Sequence, residues 1–170
     1  DEFPHRPLYP DVQLMSTEDL AKKSGKSVVG DVRSRYEYDT LHIKDARNIP
    51  LTDRNFTEAL RKIRQSTRDP IVFYCNGKSC AKSYEAAMAA IHARIPETYA
   101  YDYGIFVWAK AYPEKTVLLG ESPINVEDLI GDEKFKAHVL GPKEFEGKIG
   151  PSTIVLDVRD LVQRDSMLFP

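Results

Sequence analysis

Residues 75–83, CNGKSCAKS, bring two thiols, two lysines and two hydroxyls together directly behind an apolar run, RDPIVFY, and ahead of a helical-looking stretch, YEAAMAAIHARI. A cysteine where a buried strand gives way to a short polar loop and a helix start is placed as a reactive group. Gly77 is expected to supply backbone angles closed to other residues. Amides at the helix N-terminus point at an anion, and Lys78 and Lys82 add positive charge. The segment reads as an anion-binding loop of Asn76, Gly77, Lys78, Ser79, Cys80, Ala81, Lys82 and Ser83 around a nucleophilic Cys75 thiolate. The competing reading of Cys75 is a buried core thiol at a strand end.

Thiolate supply is not the main benefit of such a loop. A free cysteine with pKa about 8.5 is only roughly 3% ionised at pH 7. Lowering that pKa by about two units raises ionisation roughly 25-fold but lowers intrinsic nucleophilicity about 8-fold, leaving a gain of a few-fold. The larger effect is stabilisation of negative charge along the whole reaction by fixed N–H dipoles. Lys78 or Lys82 then attracts an anionic donor, and Ser79 or Ser83 offers a hydroxyl. Cys80 has three readings: a thiol that resolves a bond to Cys75, a second acceptor, or a small apolar helix residue. The two thiols lack close zinc-ligand spacing and a histidine pair, so no metal is expected.

The flanking sequence must build a sheet to hold this loop. Residues 1–11 carry three prolines without periodicity and read as an extended lead-in on the surface. Ser16 or Thr17 can cap a short helix that begins acidic and ends in lysines before Gly25. SVVGDV reads as a buried strand, followed by a short helix, an irregular segment and a brief strand ending at Pro50. Phe56, Leu60 and Ile63 fall at helical spacing behind Asp53 or Asn55 as caps. RDPIVFYC is apolar on both faces, as strands of a covered parallel sheet are. Beyond the loop, Tyr84, Ala87, Met88, Ile91 and Ile95 form one helical stripe that stops at Pro96. TYAYDYGIFVWAKAYP adds a strand, a turn at Gly104 and a segment in which Trp108, Phe106 and Tyr103 read as core closure. His42 reads as a buried imidazole bonded to backbone.

Alternating strands and helices predict an α/β fold with a mostly parallel central sheet, helices on both faces, and the loop at the carboxyl end of a central strand. From Glu114 the composition changes to a connector, and residues 121–136 read as a linker with a weak helix. VLGPKEFEGKIGPSTIVLDVRD then repeats the element order of VQLMSTEDLAKKSGKSVVGDVRS, Asp157, Val158 and Arg159 answering Asp31, Val32 and Arg33. The expected organisation is a lead-in (1–11), a complete domain (12–120), a linker (121–136) and a partial second repeat without a loop (137–170). A half-repeat cannot bury its own core, so it is expected to dock, to self-associate or to begin a truncated domain.

Composition narrows the partners. The 170 residues are 42% hydrophobic and 29% charged, with a formal net charge of -2, which disfavours a broad nucleic-acid or anionic-membrane surface. No run reaches the length of a membrane span, and none resembles a signal peptide. The sequence starts at Asp1, so removal of a signal or of part of a longer chain is expected. The two cysteines leave the compartment open between cytoplasm and periplasm.

Together GDVRSRYEYDTLHIKDARNIP, CNGKSCAKS behind IVFYC, and DYGIFVWAKAYP resemble, in the right order, the rhodanese-like sulfurtransferases, over about Val12 to Pro113. The resemblance implies an α/β domain whose cysteine takes sulfane sulfur from thiosulfate or a polysulfide, holds it as a persulfide and passes it to cyanide or a thiol, including a protein thiol. It places the persulfide on Cys75, the cradling amides at residues 76–81, and a mainly structural strand-end pair at Asp31 and Arg33. No cofactor beyond the covalent sulfur is implied. This sequence departs from the family's usual pattern in a longer loop closed by Lys82 and Ser83 rather than arginine and serine, in Cys80, and in Gly30, Leu41 and Asp45. A sulfur-carrier or sulfide-sensing module with little turnover is the alternative. A phosphatase or arsenate reductase is disfavoured because lysine lacks arginine's bidentate fork.

Overall fold

The computed structural model describes residues 2–157. Two compact units divide after Val126. The first unit is built on five strands, β1 (Gln13–Leu14), β2 (Val28–Asp31), β4 (Arg47–Asn48), β5 (Ile71–Tyr74) and β6 (Thr98–Tyr101), in the order β1-β6-β5-β2-β4. Every pairing in this sheet is parallel. The helices around it are α1 (Thr17–Lys22), α2 (Arg35–Thr40), α3 (Phe56–Ser66), α4 (Lys82–His92) and α5 (Gly104–Ala111). This is the expected α/β fold, and β5 is its middle strand, buried at every position.

Local chemistry accounts for most element boundaries. Ser16 caps α1 by accepting the Asp19 amide, and Ser34 with Glu37 forms a capping box on α2. Asn55 occupies the cap position of α3 without a side-chain bond, while the Asp53 carboxylate accepts the Asn55 amide at 2.8 Å. Phe56, Leu60 and Ile63 form the buried face of α3, each full burial worth about 1.5–3 kcal/mol.

One expectation fails and another holds in part, with Tyr84, Ala87 and Ile95 buried as expected. The stretch taken as a connector contains β7 (Thr116–Leu118), which pairs antiparallel with β3 (Leu41–Ile43) in a separate two-stranded sheet. The buried face of α4 is Ser83, Tyr84, Ala86, Ala87 and Ala90, whereas Ile91 is 36% exposed; α4 packs against β5 and β6, and alanines let the helix backbone approach the sheet.

Two of the unusual residues have physical counterparts. A Cβ on Gly30 would sit 3.2 Å from Phe73 and 3.3 Å from Ile49, so those large side chains take the space an aliphatic residue would fill. Asp45 has φ +64°, the left-handed region in which glycine is at ease.

The second unit contains α6 (Asp132–Ala137) and α7 (Pro142–Lys148). The helix α7 stands where the suspected repeat calls for one, but residues 153–157 form no strand. Val158 and Arg159 of that comparison lie outside the described residues.

Candidate active site at the end of the central strand

Cys75 follows the last residue of β5, so the loop leaves the sheet at the carboxyl end of its middle strand. Its carbonyl accepts the Ile105 amide at 3.0 Å, the Cys80 amide turns back to the Gly77 carbonyl at 2.9 Å, and α4 begins as Tyr84 and Glu85 donate to Ala81 at 3.0 Å. Gly77 does not adopt a positive φ; the residue that does is Gly104, at +74°. A Cβ on Gly104 would lie 2.4 Å from both Cα and N of Gly77. The loop thus rests on the backbone of α5's first residue, and glycine is required by close approach.

The two thiols are free and unequal. Cys75 is fully buried; its Sγ lies 3.5 Å from the Cys80 carbonyl oxygen and 3.7 Å from Ser83 Oγ, each an acceptor for its proton. Cys80 is half-buried. Its sulfur is held down to a pKa of about 6 by the hydrogen bond from Cys75, with further help, against burial, from the Lys82 and Asn76 amides and the Lys82 charge. The hydrogen bond to Cys80 and burial push Cys75 up, opposed by the Ser83 amide and hydroxyl. The two shifts run in opposite directions, favouring the thiol at Cys75 and the thiolate at Cys80. The amides of Asn76 and Lys82 are therefore aimed at Cys80, and only that of Ser83 at Cys75.

Behind the loop, Arg33 and Asp31 form a buried bidentate pair at 2.9 and 2.6 Å. Arg33 also donates to the Leu41 carbonyl at 2.6 Å and, with its remaining nitrogen, to Asn76 Oδ1 at 3.1 Å. The Asn76 amide group continues to Glu37 at 2.9 Å. Burial raises the Glu37 carboxyl's pKa, but bonds from Asn76 and Ser34 and the Arg33 charge outweigh it and leave the carboxyl below its ordinary range. The strand-end pair is buried and bonded to itself, and through Asn76 it also anchors the loop's first side chain.

The opening residues are not a passive lead-in. A 3₁₀ turn at Arg6–Leu8 lets Arg6 grip the buried Asp102 at 2.8 and 3.3 Å, where Tyr84 donates to the same carboxylate at 2.5 Å. His5 Nε2 donates to the Ser79 carbonyl at 3.0 Å. Lys78 pairs with Glu2 and lies over the rings of Phe3 and Tyr103. Tyr9 stacks on Tyr84. Arg6 and Asp102 were not singled out by sequence reasoning, and Tyr84 was read only as part of a helical stripe; a sequence separation of 96 residues leaves no local signal for the Arg6–Asp102 pair.

Of the other candidates, Ser83 is the hydroxyl against Cys75, while Ser79 is exposed and supplies its carbonyl instead. His42 donates through Nδ1 to the Tyr38 carbonyl at 2.7 Å and stacks on that ring, a structural role as expected. Trp108 closes the core, but Phe106 is 47% exposed and does not. Among the described residues no cluster of metal-ligating side chains occurs and no helix is long and apolar enough to cross a membrane.

The sequence pattern of the rhodanese-like domain matches residues 16–111, more than half of the 170 residues. The chain belongs to the rhodanese-like family. This rhodanese-like chain superposes on the BH2092 protein of Bacillus halodurans with a TM-score of 0.57 at 20% identity, over 78% of this chain and 94% of that one. A thiosulfate sulfurtransferase from Pseudomonas aeruginosa gives 0.52 at 19% identity, over 75% of this chain and 24% of that one. The Alr3790 protein of Anabaena sp. gives 0.52 at 19% identity, over 64% and 95%. At such identities the likeness is one of fold. A comparison with curated proteins finds no match.

Proposed function

We propose that this rhodanese-like chain is a sulfurtransferase that carries sulfane sulfur on Cys75. The observation that carries the reading is a buried thiol at the end of the middle strand, its Sγ 3.5 Å from the Cys80 carbonyl oxygen and 3.7 Å from Ser83 Oγ, in a loop whose amides and Lys82 favour a sulfur anion. An environment that keeps one sulfur ionised beside another also suits the anions of sulfur transfer: thiosulfate entering, sulfite leaving and persulfide remaining. Cys75 attacks the outer sulfur of thiosulfate, a sulfur–sulfur bond forms, and sulfite departs with the electron pair of the bond that breaks. The Cys75 proton is lost to solvent base in that step. Persulfide sulfur then passes to cyanide or to a thiol. Lys78, tied to Glu2, and Lys82, beside Cys80, are the cations an incoming anion meets.

Thiosulfate-to-cyanide transfer, followed together with intact mass, tests this. The expected result is gain of one sulfur atom that maps to Cys75 and loss of transfer in Cys75→Ser. A chain that never gains sulfur, or a Cys75→Ser variant that turns over like the parent, overturns it.

A further inference from the structure

The second thiol has no place in a cycle that needs only one, yet it occupies the better-built position. Cys80 receives the Asn76 and Lys82 amides, and Asn76 is itself fixed by Arg33 and Glu37. Cys75 lies beneath, without exposure, its Sγ 3.5 Å from the Cys80 backbone carbonyl. Cys80 is partly open to solvent. Cys80 lies ahead of α4 rather than in it, and the turn its amide makes to the Gly77 carbonyl folds it back over the Cys75 sulfur, which reaches its carbonyl oxygen at 3.5 Å.

We propose that Cys80 is a resolving nucleophile that reduces the sulfur delivered to Cys75, so that the loop releases hydrosulfide and closes as a Cys75–Cys80 disulfide. The proposal rests on the loading of Cys75 described above. The Cys80 thiolate attacks Cys75 Sγ of the persulfide; the Cys80–Cys75 bond forms, the bond to the outer sulfur breaks, and that sulfur leaves as HS⁻ with the electron pair and the persulfide proton. The sulfane sulfur gains two electrons and the two cysteines lose them. A small dithiol, or a protein dithiol, then opens the disulfide by exchange and becomes oxidised in turn. The net reaction converts thiosulfate and a dithiol into sulfite, hydrosulfide and the oxidised dithiol.

The Cys80 shift is towards the thiolate, so its attacking form is better populated at neutral pH than that of an unperturbed cysteine. Lower basicity also lowers intrinsic nucleophilicity, so the net gain in rate from this source is small. The main advantage is proximity: both thiols belong to one loop, and no external thiol has to reach a sulfur without solvent exposure.

The test loads the full chain with excess thiosulfate in mildly alkaline, oxygen-free buffer, removes the donor, and measures intact mass and free sulfide with no acceptor present. The expected wild-type product lacks two hydrogens and holds no extra sulfur, with one hydrosulfide released per chain; added dithiothreitol turns this single burst into continuous release. Cys80→Ser and Cys80→Ala are expected to keep one extra sulfur on Cys75 and to release none. Wild-type chain that retains the extra sulfur, with no disulfide and no sulfide, overturns the proposal and leaves sulfurtransferase activity standing. Failure of wild type and both variants to take up any sulfur overturns the underlying reading instead.

Discussion

Arg33→Met should separate the two jobs of the buried arginine. Arg33 and Asp31 are almost without exposure, and the arginine makes bonds of 2.9 and 2.6 Å to the carboxylate, 2.6 Å to the Leu41 carbonyl and 3.1 Å to Asn76. Methionine fills much of the volume but leaves a buried carboxylate unpaired, which costs about 3–5 kcal/mol. For a unit of this size that is roughly 10–20 °C in melting temperature. Asp31→Asn combined with Arg33→Met removes the stranded charge and should recover most of the loss, since a buried ion pair replaced at both ends is often near neutral. The loop should not recover, because Asn76 stays without its arginine partner. The double variant is therefore expected to denature in urea close to wild type while its kcat/KM for thiosulfate remains reduced at least ten-fold, about 1.4 kcal/mol. A single variant that loses less than about 1 kcal/mol, far below the expected cost, refutes the stability argument; a double variant with wild-type kcat/KM refutes the positioning of Asn76.

Other consequences are open to direct measurement. Gly104→Ala places a Cβ 2.4 Å from the Gly77 backbone at a φ of +74°; urea denaturation should show a loss of at least about 2 kcal/mol, with transfer activity falling alongside. Asp45→Gly relieves a φ of +64° and should raise stability by about 0.5–1 kcal/mol in the same assay. Alkylation of the folded chain by iodoacetamide should fall on Cys80 and spare Cys75, its rate rising with pH through a midpoint at about 6, because deprotonation makes the reactive form. Limited proteolysis should leave a stable fragment ending near Val126, seen by mass.

The legible parts of the chain were those whose signal is local. Ile71–Tyr74 is apolar on both faces and reads as a central strand; Ser16 announces α1; the loop, with cysteines, lysines and a glycine between strand and helix, declares itself. Three kinds of feature stayed hidden. β3 and β7 are three residues each, too short for periodicity, and exist because distant segments pair. The stripe of α4 and the residues after it was legible through Tyr84, Ala87 and Ile95, all buried, but Ile91 is 36% exposed, and Ala86 and Ala90, which let the helix pack on the sheet, carry too little hydrophobic signal to announce it. The glycine that matters was misassigned because the close approach is of Gly104 to the Gly77 backbone, 2.4 Å from where a Cβ on Gly104 would sit, and only the tertiary structure brings the two together. Cys80 was visible as a thiol, but the amides aimed at it belong to the folded loop alone.

The contacts of Glu2, His5 and Arg6 with Lys78, Ser79 and Asp102 also bear on how the protein is handled. An affinity tag or fusion partner joined directly before Asp1 pulls on residues that hold the Cys75–Ser83 loop, and a fragment trimmed to the matched span 16–111 strands the Asp102 carboxylate without its arginine. Activity measured on either reports on a loop released from one of its two supports; a carboxyl-terminal tag avoids that artefact.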